Sequence, residues 1–317
     1  MSTAQPPLPR REAAREFTAS RANVQARPAG FFSDLWSVAR RSLRALPREP
    51  EVLLPALIVP VFFFAVNIGT LQDFAQNGIP GLDYRAFQLP TAIVFAVTGV
   101  SRANALVTDI QSGHFDRLLM TPIHRLALLL GMMMADFVQI IALSIPVILL
   151  GMAIGVRVDT GLPGILLFLL MAGLWGLAFT GFPYAIALKT ASPGAVGASF
   201  ILFFPFAFLT TSALPLEALT GWLAAIARYN PMTYLLASLR SLLYGGWQPN
   251  LIAQGLAAIL IVGVISIGCS LLALRGRVAR GLGEGRRQVA ATSPSRTASA
   301  LASRRFGVSS LSRMFAT

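Results

Sequence analysis

Lysine and cysteine each occur once in this 317-residue chain, and histidine twice. The lysine, Lys189, follows Leu188 and precedes Thr190. A phosphate-binding loop needs G-x-x-x-x-G-K-[ST], because glycine amides cradle the phosphates while the lysine reaches the terminal ones. Leu188 cannot stand in for that glycine, so the chain has no nucleotide cradle of this kind. The lone Cys269 excludes an intrachain disulfide and a cysteine-based metal cluster. His114 and His124 have neither a cysteine nor a metal-type His spacing beside them, so no metal site is expected. No H-E-x-x-H or G-x-S-x-G occurs, and no catalytic residues are assigned. Charge is scarce too: 12% of residues are charged and 55% hydrophobic, with a mean hydropathy of +0.67.

That composition lies outside the soluble globular range. The apolar residues gather in runs long enough to cross ~30 Å of hydrocarbon, which takes ~20 residues. Six such runs are read, over 52–71, 87–107, 126–154, 162–188, 194–214 and 251–274. The first begins too late, behind too long a polar stretch, for a cleaved signal peptide. The expectation is an all-α integral membrane protein with six transmembrane helices.

A net charge of +13 would suggest nucleic acid in a soluble protein; here its distribution follows membrane topology. The stretch to Glu51, the connection holding Arg102, Arg117 and Arg125, Lys189, and the tail from Arg275 carry all but four of the 26 basic residues. The exceptions are Arg85, Arg157, Arg228 and Arg240. An even number of spans with both ends cytoplasmic fits this imbalance, and no nucleic-acid partner is called for.

Residues 1–30 lack apolar periodicity and read as a disordered arm. Between 32 and 46, Phe32, Leu35, Trp36, Ala39, Leu43 and Leu46 recur at helical spacing, opposite Arg40, Arg41 and Arg44. This predicts a basic amphipathic helix on the inner membrane surface, started by Ser33 or Asp34 and stopped by Pro47. It serves as a lipid anchor or also touches a cytoplasmic partner. The connection after the second run has an apolar stripe of Phe115, Leu118 and Leu119 between Gly113 and Pro122. So short a helix needs something to pack against, unless it is a solvated loop lying on the bilayer.

After the fifth run, 215–250 is broken at Asn230-Pro231 and Gly245-Gly246 into two pieces too short to cross. They dip in and return, or lie at the outer interface, where Trp222, Tyr229, Tyr234, Tyr244 and Trp247 suit the boundary. The membrane domain is read over 31–274, and 275–317 as a basic, disordered tail held near anionic lipid.

The block 109–131, DIQSGHFDRLLMTPIHRLALLLG, followed by Asp136, and the block 215–246, PLEALTGWLAAIARYNPMTYLLASLRSLLYGG, resemble the permease subunits of type-2 ATP-binding cassette transporters, in the drug-resistance (daunorubicin-type) branch. The resemblance implies an elbow helix at 32–46 and a cytoplasmic coupling helix at 112–122 that sits in a cleft of the ATPase. Ser112, Phe115, Asp116, Arg117, Leu118, Thr121 and Pro122 would face or support that contact. It also implies re-entrant outer helices at 216–228 and 232–243, hinged at Asn230-Pro231. Many relatives carry a Gly-Thr-Leu-Glu-like run before the coupling helix; this chain has Ser112-Gly113-His114-Phe115-Asp116.

By that resemblance the partners are a separate ATPase subunit, which holds ATP and magnesium while this chain binds no cofactor, and a second permease copy or homologue. The expected place is the cell's inner membrane, and the expected work outward transport of an amphipathic drug, lipid or glycan-type cargo. Candidate pathway residues are Asp136, Gln139, Phe203 and Phe204. Asp136 is either a gating group or an inner-end structural charge paired with Arg102. The phenylalanines either line an apolar route or face lipid. An ion-coupled carrier or a membrane scaffold is the other reading, but a proton-driven carrier usually has several ionisable groups within its spans, and here Asp136 is nearly alone.

Overall fold

The computed structural model describes residues 30–45, 50–79, 81–98, 101–119 and 124–292, and among these all regular elements are helical. In chain order they are α1 (Phe31–Ala45), α2 (Pro50–Gly78), α3 (Tyr84–Thr98), α4 (Ala103–Gln111), α5 (His114–Leu119), α6 (Arg125–Ala153) and α7 (Gly161–Thr190). There follow α8 (Pro193–Ser199), a 3₁₀ turn (Phe200–Leu202), α9 (Phe203–Phe208) and a second 3₁₀ turn (Leu216–Ala218). The chain closes with α10 (Gly221–Tyr229), α11 (Pro231–Arg240), a π turn (Ser241–Gly245) and α12 (Pro249–Thr292).

Five helical stretches are long and apolar enough to cross a membrane: Leu54–Gly78, Tyr84–Gln111, Leu126–Ala153, Gly161–Thr190 and Pro249–Ala279. Four of them carry proline in their interior: Pro55 and Pro60 in α2, Pro90 in α3, Pro146 in α6 and Pro183 in α7. Inside a lipid-embedded bundle, neighbouring helices can satisfy the backbone groups that proline frees.

The run expected over 194–214 is different. Its helical part, Pro193–Phe208, is about 24 Å long at 1.5 Å per residue, short of the ~30 Å core. Pro205 and the change from α to 3₁₀ geometry interrupt it. At its start, Gln111 Nε2 donates to the Ala191 carbonyl (3.0 Å), beside the last residue of the second span. At its end, Tyr84 Oη donates to the Ala213 carbonyl (3.2 Å) and Thr91 Oγ1 to the Ser212 carbonyl (3.3 Å), beside the first turns of that span. Residues 191–213 thus touch both ends of Tyr84–Gln111, finishing in a run of bends rather than in helix.

Helix α7 ends at Ala191, which adopts a left-handed backbone (φ 50°), and Ser192 then caps α8 by accepting from Ala195 N, with Pro193 in the first helical turn. Against α7 lies α12. Ser266 and Ser270 donate their hydroxyls to the Ala178 and Gly181 carbonyls, and a β-carbon on Gly181 would meet the Ser266 backbone at 2.6 Å. Small residues let the two backbones approach closely. Trp175 of α7, fully buried, donates Nε1 to Thr98 Oγ1 at 3.2 Å and stacks on Phe206.

Two boundaries differ from expectation. Helix α12 does not stop near 274 but continues through 275–292, since no proline follows Pro249 until Pro294. The first outer helix begins at Gly221 rather than 216, behind the 3₁₀ turn Leu216–Ala218. The arm 1–29, Leu46 and Pro47 lie outside the described residues.

Candidate functional site

The end of the bundle that the charge distribution reads as inner is organised around α1 and α5. Helix α1 begins at Phe31, so neither Ser33 nor Asp34 caps it. Asp34, 7% exposed, instead accepts the backbone N–H of His124 at the head of α6 (3.2 Å). The buried stripe of α1 is Asp34, Val38, Ala39 and Ser42, while Phe32 and Trp36 are 82% and 62% exposed. The apolar residues nearest the helix start turn away from the protein, as a helix lying at a membrane interface allows. Arg40, Arg41 and Arg44 are also exposed. Val38 packs so close to α6 that a β-carbon on Gly131 would meet its Cβ at 2.8 Å and the Leu35 carbonyl at 2.9 Å.

Gly113, at φ 71°, makes the turn between α4 and α5. Phe115 drives the two-turn α5 into the inner core, 1% exposed in a cluster that includes Val38, Leu106, Leu128 and Leu274, with Leu118 half-buried against it. Ser112, Asp116 and Arg117 face outward. Thr121 and Pro122 lie outside the described residues.

Two ion pairs hold this end together. Arg41 donates to Asp109 Oδ2 at 2.7 Å and also to His114 Nε2, tying α1 to α4 and α5. Arg277 of α12 approaches Asp116 at 3.4 Å. Asp136 is fully buried; its Oδ1 accepts the backbone N–H of Arg102 at 3.0 Å, at the head of α4, while the Arg102 guanidinium donates to the Ser42 carbonyl at 2.6 Å. Asp136 and Arg102, expected as salt-bridge partners, thus meet at the backbone N–H of Arg102. Gln139 is buried one turn further along α6.

At the outer end, the residues flanking the expected hinge form a clamp. Asn230 Oδ1 accepts from Met232 N (3.0 Å), capping α11, with Pro231 as its first residue; Nδ2 donates to the Phe206 and Leu209 carbonyls at 2.7 and 3.0 Å. Loop 154–160 closes on the same region, with Asp159 N donating to the Leu243 carbonyl at 2.8 Å.

Arg240 was read in the sequence only as an outer charge. It is 5% exposed and lies 3.5 Å from the Phe87 ring centroid. It donates to the Phe87 carbonyl (3.1 Å), Thr91 Oγ1 (3.1 Å), Thr211 Oγ1 (3.0 Å) and the Thr211 carbonyl (2.6 Å). These acceptors are all neutral. Burial lowers its guanidinium to about 10, which leaves it charged at neutral pH. The usable signal was its position: an arginine closing the amphipathic run Pro231–Arg240, ahead of further apolar residues.

A cavity of about 390 Å³ opens between α2, α3 and the broken fifth segment, walled by Phe63, Phe95, Phe203, Phe204 and Phe208. Among the described residues its lining holds no charge; its polar groups come from Asn67, Gln88, Thr91 and Ser212. Phe203 and Phe204 therefore share a site, whereas Asp136 and Gln139 are not part of its lining.

The ABC-2 type transporter family model matches residues 33–244. The daunorubicin resistance ABC transporter permease protein DrrB1 of Streptomyces coeruleorubidus is 27% identical over 232 residues, covering 69% of this chain and 80% of that protein. A probable doxorubicin resistance ABC transporter permease protein, DrrC of Mycobacterium tuberculosis, is 23% identical over 207 residues, covering 65% and 75%. The putative transport permease ycf38 of Cyanophora paradoxa is 26% identical over 222 residues, covering 67% and 74%. A multi-pass helical bundle matched over two thirds of its length belongs to the ABC-2 type transporter family, as one of its membrane permease subunits.

Proposed function

We propose that the chain is the permease half of an ATP-driven exporter, moving an amphipathic cargo outward across the cell's inner membrane with energy from a separate ATPase subunit that holds ATP and magnesium. The observation that carries this reading is α5. Six residues make no stable helix alone, yet Phe115 anchors α5 in the inner core while Ser112, Asp116 and Arg117 present a polar face to the cytoplasm. That is the arrangement of a segment held by its own subunit and read by another, and α5 is our coupling helix. α1, pinned through Arg41 and Gly131, is our elbow helix.

Six crossings account best for the path of the chain. The bonds at Ala191 and Ala213, at opposite ends of the second span, favour counting 191–213 as a crossing completed by non-helical backbone. Both termini then share the arginine-rich inner side. Helices α10 and α11, between the fifth and sixth crossings, form the re-entrant outer cover. α2, the least buried of the five long helices, leaves an apolar flank for a second permease copy or a homologue.

For cargo, the aromatic cavity with Phe203 and Phe204 suits a drug-like or lipid-like molecule better than a polar glycan. The relatives named for daunorubicin and doxorubicin resistance point the same way. Asp136 is best read as the inner brace that ties α6 to the head of α4. The test is co-purification with a candidate ATPase: Arg117→Glu and deletion of 112–122 should each abolish recovery of the ATPase. Unchanged recovery with both variants would reject α5 as the coupling element.

A further inference from the structure

Of the polar groups around the aromatic cavity, two are already engaged. Thr91 Oγ1 donates to the Ser212 carbonyl and accepts from Arg240, so both the Thr91 hydroxyl and that carbonyl are taken. Gln88, one turn before Thr91 on α3, differs. It is 2% exposed, it lines the cavity, and its Oε1 has no hydrogen-bond partner among the described residues. A buried carbonyl oxygen without a donor is costly, and its persistence in a cavity of ligand size asks for a donor supplied from outside the chain.

The electrostatic setting narrows that donor. Arg240 sits directly behind Thr91, with neutral acceptors and no acidic residue among its hydrogen-bond partners. Behind Thr91, its positive charge acts on a low-dielectric cavity whose lining holds no carboxylate among the described residues. A cationic donor entering there meets a like charge without compensation. A hydroxyl meets no such penalty, and the phenylalanine walls favour a flat ring beside it.

We propose that this cavity takes an uncharged, ring-bearing cargo carrying a hydroxyl group, and that Gln88 Oε1 accepts the hydroxyl hydrogen. This rests on the reading of the cavity as part of the cargo route, and makes Gln88 a specificity-determining residue with Arg240 as the group that excludes cations. The relatives' names do not enter the argument.

The test uses the full chain in lipid nanodiscs and equilibrium dialysis at neutral pH, with empty nanodiscs as the partition blank. The probes are 2-naphthol, its methyl ether 2-methoxynaphthalene, which has no donor, and 2-naphthylmethylammonium. Naphthol should bind saturably and about tenfold more tightly than the ether. Gln88→Met should remove that preference while leaving ether binding unchanged, and Gln88→Leu should do the same. Both variants delete a polar group with an unmet acceptor, so folding should survive; a monodisperse gel-filtration profile checks it. Equal binding of naphthol and ether, unaffected by either variant, overturns the role of Gln88 but leaves the cavity as a binding site. Ammonium binding as tight as naphthol binding overturns the exclusion of cations by Arg240. No saturable binding of any probe overturns the cargo-route reading itself, and the proposal with it.

Discussion

Arg277 of α12 lies 3.4 Å from Asp116 on α5, joining residues 161 positions apart. The pair is partly exposed, so its attraction is worth at most ~1 kcal/mol. Its interest lies in direction: movement of α5 reaches α12 as well as the helices flanking α5 in sequence. The expected outcome is that Asp116→Arg or Arg277→Asp alone slows ATP-dependent cargo export about threefold, and the charge-swapped double variant restores most of it. Export assayed in inverted vesicles gives the readout. No recovery in the double variant would mean the contact carries nothing.

Replacing Arg240 should be far more damaging. Arg240→Ala leaves the Thr211 and Phe87 carbonyls buried without their donor, at a cost of about 3 kcal/mol. Arg240→Lys should rescue little, because an ammonium cannot reproduce the planar fork that meets three residues at once. Thermal unfolding in detergent should fall clearly for both variants; a lysine variant as stable as the original chain would contradict the geometry.

Gly131 allows no side chain. An alanine there must push Val38 or the Leu35 carbonyl away, at ~1–3 kcal/mol, and should loosen α1 from the bundle. Proteolytic cleavage within α1 should quicken in Gly131→Ala, with little change at Gly268, which faces open space, when it receives the same substitution.

The crossing by 191–213 is checked by labelling. With Cys269→Ala as the background, Thr190→Cys and Glu217→Cys place single exposed thiols at the two ends of the segment. An impermeant maleimide should reach the first only in inverted vesicles and the second only in right-side-out ones. Labelling from the same side would remove one crossing and place the two termini on opposite faces.

The long apolar runs were legible because their length alone meets the demand of the bilayer, and interior prolines did not disguise them. The fifth run, 194–214, was read from its apolar length like the others, but its helix stops at Phe208: Pro205 and the bends that follow shorten it, and an apolar tally does not register them. For α1, periodicity found the helix but not its buried face: an interfacial helix has apolar surroundings on two sides, and the spacing of Trp36 and Val38 cannot say which meets protein. Asp34 was misread as the cap of its own helix because capping was sought only among sequence neighbours, whereas its acceptor serves His124. Arg240 was counted only as an outer charge because nothing local reveals that Thr91 and Thr211 converge on it.

Helix α12 has 44 residues, or about 66 Å of unbroken rod, more than twice the hydrocarbon thickness. Near one end Gly255 lies so close to α11 that a β-carbon would meet Ser238 Cβ at 2.6 Å; towards the other, Arg277 meets Asp116. Between these two contacts Ser266 and Ser270 hold the rod to α7, which makes a pivot. A few degrees of tilt about it, started at Arg277, become an ångström-scale displacement at Gly255, about 33 Å away along the helix.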